Sequence, residues 1–116
     1  MRALIIVNDA PYGSERTYNA LRLGATLLQV EPELELTVFL LGDAVACAKK
    51  GQTTPQGYYN VERMLIPVLR RGHVLACETC LAARGLAPAQ LAEGCRPAKL
   101  GELANLVLDA DKVLTF

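Results

Sequence analysis

Arg2-Ala3-Leu4-Ile5-Ile6-Val7, followed at once by Asn8-Asp9-Ala10-Pro11-Tyr12-Gly13-Ser14, decides the fold class. A short apolar run rich in β-branched residues that ends in polar and turn-forming residues predicts a buried strand. Ser14 then offers a hydroxyl to the free N–H groups of a following helix, and Glu15 adds negative charge at its start. Leu21, Ala25 and Leu28 recur at helical spacing, and Glu31-Pro32 closes that helix because the residue before proline avoids the α region. Leu34 to Leu41 gives a second strand, with β character from Thr37, Val38 and Phe39. These segments complete one βαβ unit.

The next stretch is of another kind. Gly42 to Gly57 holds three glycines and Pro55 among Gln52, Thr53, Thr54 and Gln56, and only Asp43 to Lys50 suits a short helix. A loop of this length in a small domain covers or binds something, or is surface slack. Val61, Met64, Leu65, Val68 and Leu69 then follow a helical period ending at Gly72, with a kink expected at Pro67. His73 to Cys77 predicts a third strand, and a short helix starts near Thr79. Pro88 and Gly94 bracket another short helix, Arg96-Pro97 opens the last one through Leu100, Leu103, Ala104, Val107 and Leu108, and Lys112 to Phe116 forms the final strand. Strands alternate with helices throughout, which implies an α/β domain whose mainly parallel sheet is covered on both faces by right-handed crossovers.

Composition narrows the function. The chain has 116 residues, 12 Lys plus Arg against 12 Asp plus Glu, and 52% apolar residues. That is one domain, residues 1–116, with material for a core and little charge to keep copies apart, so self-association is expected. A balanced charge with only the short Lys49-Lys50 and Arg70-Arg71 doublets leaves nucleic-acid binding without its electrostatic footprint. No apolar stretch reaches the roughly 18 to 20 residues of a membrane span, and no export signal is read at the start. A cytoplasmic protein is the expectation, and there four cysteines are thiols and not a disulfide framework.

In open parallel sheets ligands bind beyond the carboxyl ends of the strands, so Asn8 to Ser14, Gly42 to Gly57 and Cys77 to Arg84 are the candidate segments. None carries a Gly-rich nucleotide motif. Asn8, Pro11, Tyr12, Gly13, Ser14 and Tyr58 are candidate pocket residues, although turn formation and packing explain them as well. Cys77-Glu78-Thr79-Cys80 is the most specific feature, because it sets a CxxC pair where a strand passes into a helix. There the positive helix end, with Arg84 near in sequence, favours thiolate over thiol, while Glu78 opposes it. An isolated cysteine is more often a small core residue; a pair at this place points to chemistry. Zinc fits least, because Cys47, Cys95 and the single His73 lie far apart in sequence, and neither a metal nor another cofactor is expected. His73 at a strand start reads as structural. A thiol–disulfide switch and a persulfide-based sulfur transfer both suit the pair.

The sequence also resembles the DsrE/DsrF-like family, nearest its YchN-type members, over essentially the whole chain. The resemblance rests on Asn8 to Glu15, Asn19-Ala20-Leu21-Arg22-Leu23, Val38-Phe39-Leu40-Leu41-Gly42-Asp43-Ala44-Val45, Gly51-Gln52, Gly57-Tyr58, Cys77-x-x-Cys80 with Arg84-Gly85, and Ala110 to Phe116, in that order. It implies a three-layer α/β/α domain of flavodoxin- or Rossmann-like topology with about five strands, assembled as a trimer or hexamer. It further implies a sulfur carrier or sulfurtransferase-like role with sulfur-donor and sulfur-acceptor proteins as partners. The acting cysteine of the sulfur-carrying relatives, eight positions before the Gly of the Arg-Gly pair, falls on Cys77. Cys80 matches the second cysteine of YchN-type members, and a thiol there is placed to resolve a persulfide on Cys77 into a disulfide. Cys77 as nucleophile, Cys80 as auxiliary thiol and Arg84 as anion stabiliser are the expected catalytic residues. The rivals are a CxxC redox protein and an oligomeric interaction module with incidental cysteines.

Overall fold

Both faces of the first strand are covered, which is why its sequence is a continuous apolar run and not an alternation. The computed structural model describes residues 1–116, and in it β1 spans Arg2–Val7 with Ala3, Leu4, Ile5 and Val7 buried. Helix α1 (Arg16–Val30) leads to β2 (Glu35–Leu40), and a 3₁₀ segment, Gly42–Ala48, follows β2 directly. Helices α2 (Val61–Met64) and α3 (Ile66–Arg71) lead to β3 (His73–Cys77), and α4 (Glu78–Ala83) begins at the next residue. A 3₁₀ turn at Pro88–Gln90 precedes β4 (Cys95–Ala98), α5 (Leu100–Asp109) and β5 (Lys112–Thr115). The five strands form one sheet in the order β4-β3-β2-β1-β5, and every pairing is parallel.

The chain therefore steps one way from β1 to β4 and then crosses back to place β5 beyond β1. Right-handed crossovers put α1 to α4 on one face and α5 on the other. The packing agrees: Ile5, Leu36 and Val68 converge on Gly24 of α1, while α5 lies against β1. The three-layer α/β/α arrangement with a five-stranded parallel sheet is as expected from the sequence. The core is one cluster of 27 buried residues, with Phe39, Leu4, Ile5, Leu21 and Leu36 among its largest members.

Three local expectations are corrected. Arg96-Pro97 does not open the last helix; it lies within β4, paired with Leu75 and Ala76. Proline at a helix start and proline in an edge strand look alike in sequence, and β4 is an edge strand, where a missing N–H is tolerated. Pro67 does not sit inside a kinked helix. The helix divides at Leu65, and Pro67 falls in the first turn of α3, where it needs no N–H donor. Gly72 ends α3 in an extended conformation, φ −139°, and not in the left-handed one usual for a glycine cap. Its requirement is space: a Cβ at Gly72 would stand 2.6 Å from the Leu36 carbonyl oxygen and 3.2 Å from that of Val68.

Gly72→Ala should thus cost about 2 kcal/mol through forced displacement of β2 against α3. Gly101→Ala, in α5 with nothing within 4 Å of the new methyl, should be neutral or stabilising. Urea unfolding of the two variants checks this, and equal midpoints would refute the packing argument.

Candidate functional site

The register of the central strands ends them level: Val7 pairs with Leu40, and Leu40 with Ala76. The chain just beyond these positions, Asn8, Leu41-Gly42 and Cys77, is consequently brought to one edge of the sheet. Gly42 has φ +56°, a left-handed turn open to glycine, and this bend keeps the chain close to its neighbours. A Cβ there would lie 3.7 Å from the Asn8 carbonyl oxygen and 4.0 Å from Nη2 of Arg84. Across the gap, the Gly42 N–H donates to Cys80 Sγ at 3.2 Å.

Arg84 closes the other side. Its Nη1 donates to the Cys80 carbonyl oxygen at 3.0 Å, and its Nε and Nη2 reach Asp43 Oδ1 at 3.0 and 2.9 Å. The pair joins the 3₁₀ segment after β2 to the end of α4. Asp43 is exposed, so the bond is worth little as an isolated ion pair. Its consequence is positional: it fixes the guanidinium beside Cys80.

Cys77 is the N-cap residue of α4, and Cys80 stands three residues on, in the first turn. Cap position and N3 side chain face one another across a helix start, the geometry of a capping box. Burial pushes the Cys77 thiol up, but the Cys80 thiol, the N–H groups of Cys80 and Thr79, and the Thr79 hydroxyl all favour its thiolate and bring it below the ordinary thiol value. Cys80 moves the other way. Burial and the adjoining Cys77 sulfur raise it, against the opposing pull of the Gly42 N–H and Arg84. Arg84 therefore acts on the second sulfur of the pair, a distribution the sequence did not reveal.

Both other cysteines lie outside this arrangement. Cys47 is fully buried, and burial pushes its thiol up to about 12, with the Thr17 hydroxyl only partly opposing. Burial raises Cys95, within β4, to about 11. No three His, Cys, Asp or Glu side chains converge as a metal-ligand set. His73 begins the strand that Cys77 ends, about 13 Å away at the usual strand rise. It lines a separate cavity of about 380 Å³ with Arg2, Glu35 and Arg71 at the opposite edge of the sheet.

The candidate pocket residues divide into three groups. Asn8 lies with its backbone carbonyl near Gly42, but its side-chain Nδ2 turns away from the thiols and donates to the Phe116 carbonyl at 3.2 Å, beyond β5. Pro11, Tyr12, Gly13 and Ser14 make the turn into α1. There Ser14 accepts from the Arg16 N–H at 3.3 Å and donates to Asp9 Oδ2 at 2.6 Å, while the backbone cap falls at Glu15. The Tyr12 hydroxyl is committed to the long loop: it donates to Gln52 Oε1 and accepts from the Val61 N–H, both at 3.0 Å. Gln52 in turn donates to the carbonyls of Cys47 and Lys49, so the loop is tied down at its middle. Tyr58 is 70% exposed and borders a different cleft, of about 700 Å³, with Tyr18, Tyr59, Arg22 and Arg63. Gly42 and Asp43 begin a segment that the sequence offered as a candidate, but neither was assigned a role; the glycine and acid just after a strand were the available signal.

The model of the DsrE/DsrF-like family matches residues 1–116. The protein YchN of Escherichia coli (strain K12) is 42% identical over 116 residues, covering 99% of this chain and 98% of that one. The crystal structure of the ychN protein from E. coli superimposes with a TM-score of 0.94 at 41% identity, over 99% and 98% of the two chains. A sulfurtransferase TusD homolog of Vibrio vulnificus (strain YJ016) is 27% identical over 130 residues, covering 100% of this chain and 98% of its own.

Titration of the thiolate ultraviolet absorbance should show one group ionising below the ordinary thiol range, absent in Cys77→Ser. Cys80→Ala should raise that group, because it removes a donor to the Cys77 sulfur. A midpoint unmoved by Cys80→Ala would contradict the assigned coupling.

Proposed function

The chain belongs to the DsrE/DsrF-like family, and from that premise we propose that it is a sulfur carrier, acting as one domain over residues 1–116 and holding sulfane sulfur as a persulfide on Cys77. The observation that carries this reading is the place of Cys77: a buried sulfur at the end of β3 whose thiolate is nonetheless favoured by the donors around it. A thiolate is the nucleophile in sulfur exchange. Cys77 attacks the outer sulfur of a donor persulfide, R–S–SH, giving Cys77–S–SH and releasing R–S⁻. An acceptor thiolate then takes that outer sulfur and returns Cys77 to thiolate. No bond in this cycle needs an outside oxidant or reductant.

The 27% likeness to a protein named as a sulfurtransferase homolog supports the same chemistry. Sulfur-donor and sulfur-acceptor proteins are the partners this implies, in the reducing cytoplasm where four free thiols persist. No helix of the chain is long and apolar enough to cross a membrane. The second reading, a thiol–disulfide redox protein, draws on the mutual influence of Cys77 and Cys80 and would need both thiols. An oligomeric interaction module would need neither.

We place the carrier in a homo-oligomer, a trimer or hexamer. Leu100, Val107 and Leu108 of α5 and Val113 and Leu114 of β5 are exposed in the single chain, and Leu108 retains 82% of its accessible surface. An apolar set of this kind on consecutive elements suits a subunit contact.

Mass spectrometry after treatment with a cysteine desulfurase and cysteine should find one added sulfur atom on the Cys77 peptide, retained in Cys80→Ser and lost in Cys77→Ser. A Cys77–Cys80 disulfide with no adduct would favour the redox reading; partner binding indifferent to Cys77→Ser would favour the interaction module. Separately, Leu108→Glu should shift the sedimentation of the purified protein toward the monomer without unfolding it, and an unchanged sedimentation profile would place the contact elsewhere.

A further inference from the structure

Cys80 stands where a persulfide on Cys77 would be attacked from within the same chain. Residues one helical turn apart have Cα atoms about 5 Å apart, inside the span a disulfide bridges. The Cys80 sulfur has a partner on the inner side of the site. The Gly42 N–H holds it at 3.2 Å, and the guanidinium of Arg84, fixed by Asp43 and by the Cys80 carbonyl, lies beside it. A backbone N–H and a guanidinium around one sulfur stabilise negative charge on that sulfur. In the resting pair Cys77 is the thiol that ionises more readily. Once Cys77 carries an outer sulfur its inner sulfur is no longer a thiolate, and the Gly42 and Arg84 contacts favour ionisation of Cys80 instead.

We propose that the chain has a second activity at this site, persulfide reduction: Cys80 discharges the sulfur held on Cys77 as sulfide. The proposal rests on the persulfide reading above. The Cys80 thiolate attacks the inner sulfur of Cys77–S–SH, the new Cys77–Cys80 bond forms as the S–SH bond breaks, and the outer sulfur leaves with the electron pair as HS⁻. Two cysteine thiols are oxidised to one disulfide, and one sulfane sulfur is reduced to sulfide. A dithiol reductant of the thioredoxin class, acting by exchange, restores both thiols for another round. The substrate class is thus a persulfide or polysulfide sulfur, and the product distinguishes this role from transfer to an acceptor protein.

The test loads the full-length protein with inorganic polysulfide, removes the excess on a desalting column, and follows free sulfide together with the mass of the Cys77 and Cys80 peptides. Wild type should release one sulfide per loaded chain and finish as the Cys77–Cys80 disulfide, with dithiothreitol making the release catalytic when polysulfide is continuously supplied. Cys80→Ser should hold the Cys77 persulfide at least about tenfold longer, because an intramolecular thiol has a high effective concentration. A wild-type persulfide as long-lived as that of Cys80→Ser, still transferable to an added thiol, would overturn this proposal and leave the carrier reading standing. Absence of any sulfur on Cys77 in both proteins would overturn both. The wild-type sulfide and disulfide yields stand on their own, so a misfolded variant would not decide the matter.

Discussion

In-register parallel pairing of β1, β2 and β3 is the constraint on which the rest of the molecule depends. Each of these strands is apolar on both faces, and a slip of one residue would exchange the sets that face α1 and α5. Register is therefore fixed by the core. Its effect at the strand ends is to level Val7, Leu40 and Ala76, so that the next residues of three separate segments meet. Gly42 can donate to Cys80 only because β2 and β3 end together and because its own left-handed turn directs the chain across the gap. The site is a by-product of sheet packing that a few residues, Gly42, Asp43, Cys80 and Arg84, convert into a sulfur environment.

The four cysteines act as an internal control on what that environment does. Burial alone drives a thiol toward the neutral form, and Cys47 and Cys95 behave accordingly. Cys77 is as inaccessible as many core residues, at 4% exposure, yet its ionisation moves in the opposite direction. Cys77 lies nearer the rim of the core than Cys47, so burial opposes its ionisation less, and donors at a helix start and from the second thiol outweigh what burial remains. Cys80 moves the other way, so the two thiols of the pair differ in their readiness to ionise.

Much of this was legible in the residues. The bounds of β1 and β3 coincide with the apolar runs Arg2 to Val7 and His73 to Cys77, because short runs ended by polar residues leave little choice of boundary. The strand at Cys95–Ala98 was not legible: four residues with an arginine and a proline have no period to detect, and only pairing with β3 makes them a strand. The position of Cys77 at a strand-to-helix junction followed from local sequence, whereas Gly42 and Asp43, the partners of Cys80 and Arg84, lie more than thirty residues away from them in sequence and meet them through the strand register and the Gly42 turn. Tyr58 shows the converse. It shares a plausible turn segment with site residues, but the tie from Gln52 to Tyr12 directs that part of the loop toward another cleft.

The last helix shows what an apolar period can and cannot say. Leu100, Leu103, Ala104, Val107 and Leu108 form the stripe expected of a core-facing helix, yet only Leu103 is buried against the sheet. Periodicity identifies a face that avoids water and says nothing of what covers it. With equal numbers of acidic and basic residues, the chain has no net charge to oppose the approach of a second copy along this face. The thiol edge lies at the carboxyl ends of the strands, whereas α5 and β5 lie on a face and a side edge of the sheet. A contact through α5 and β5 would therefore leave the carboxyl ends of the strands, where Cys77 and Cys80 lie, uncovered.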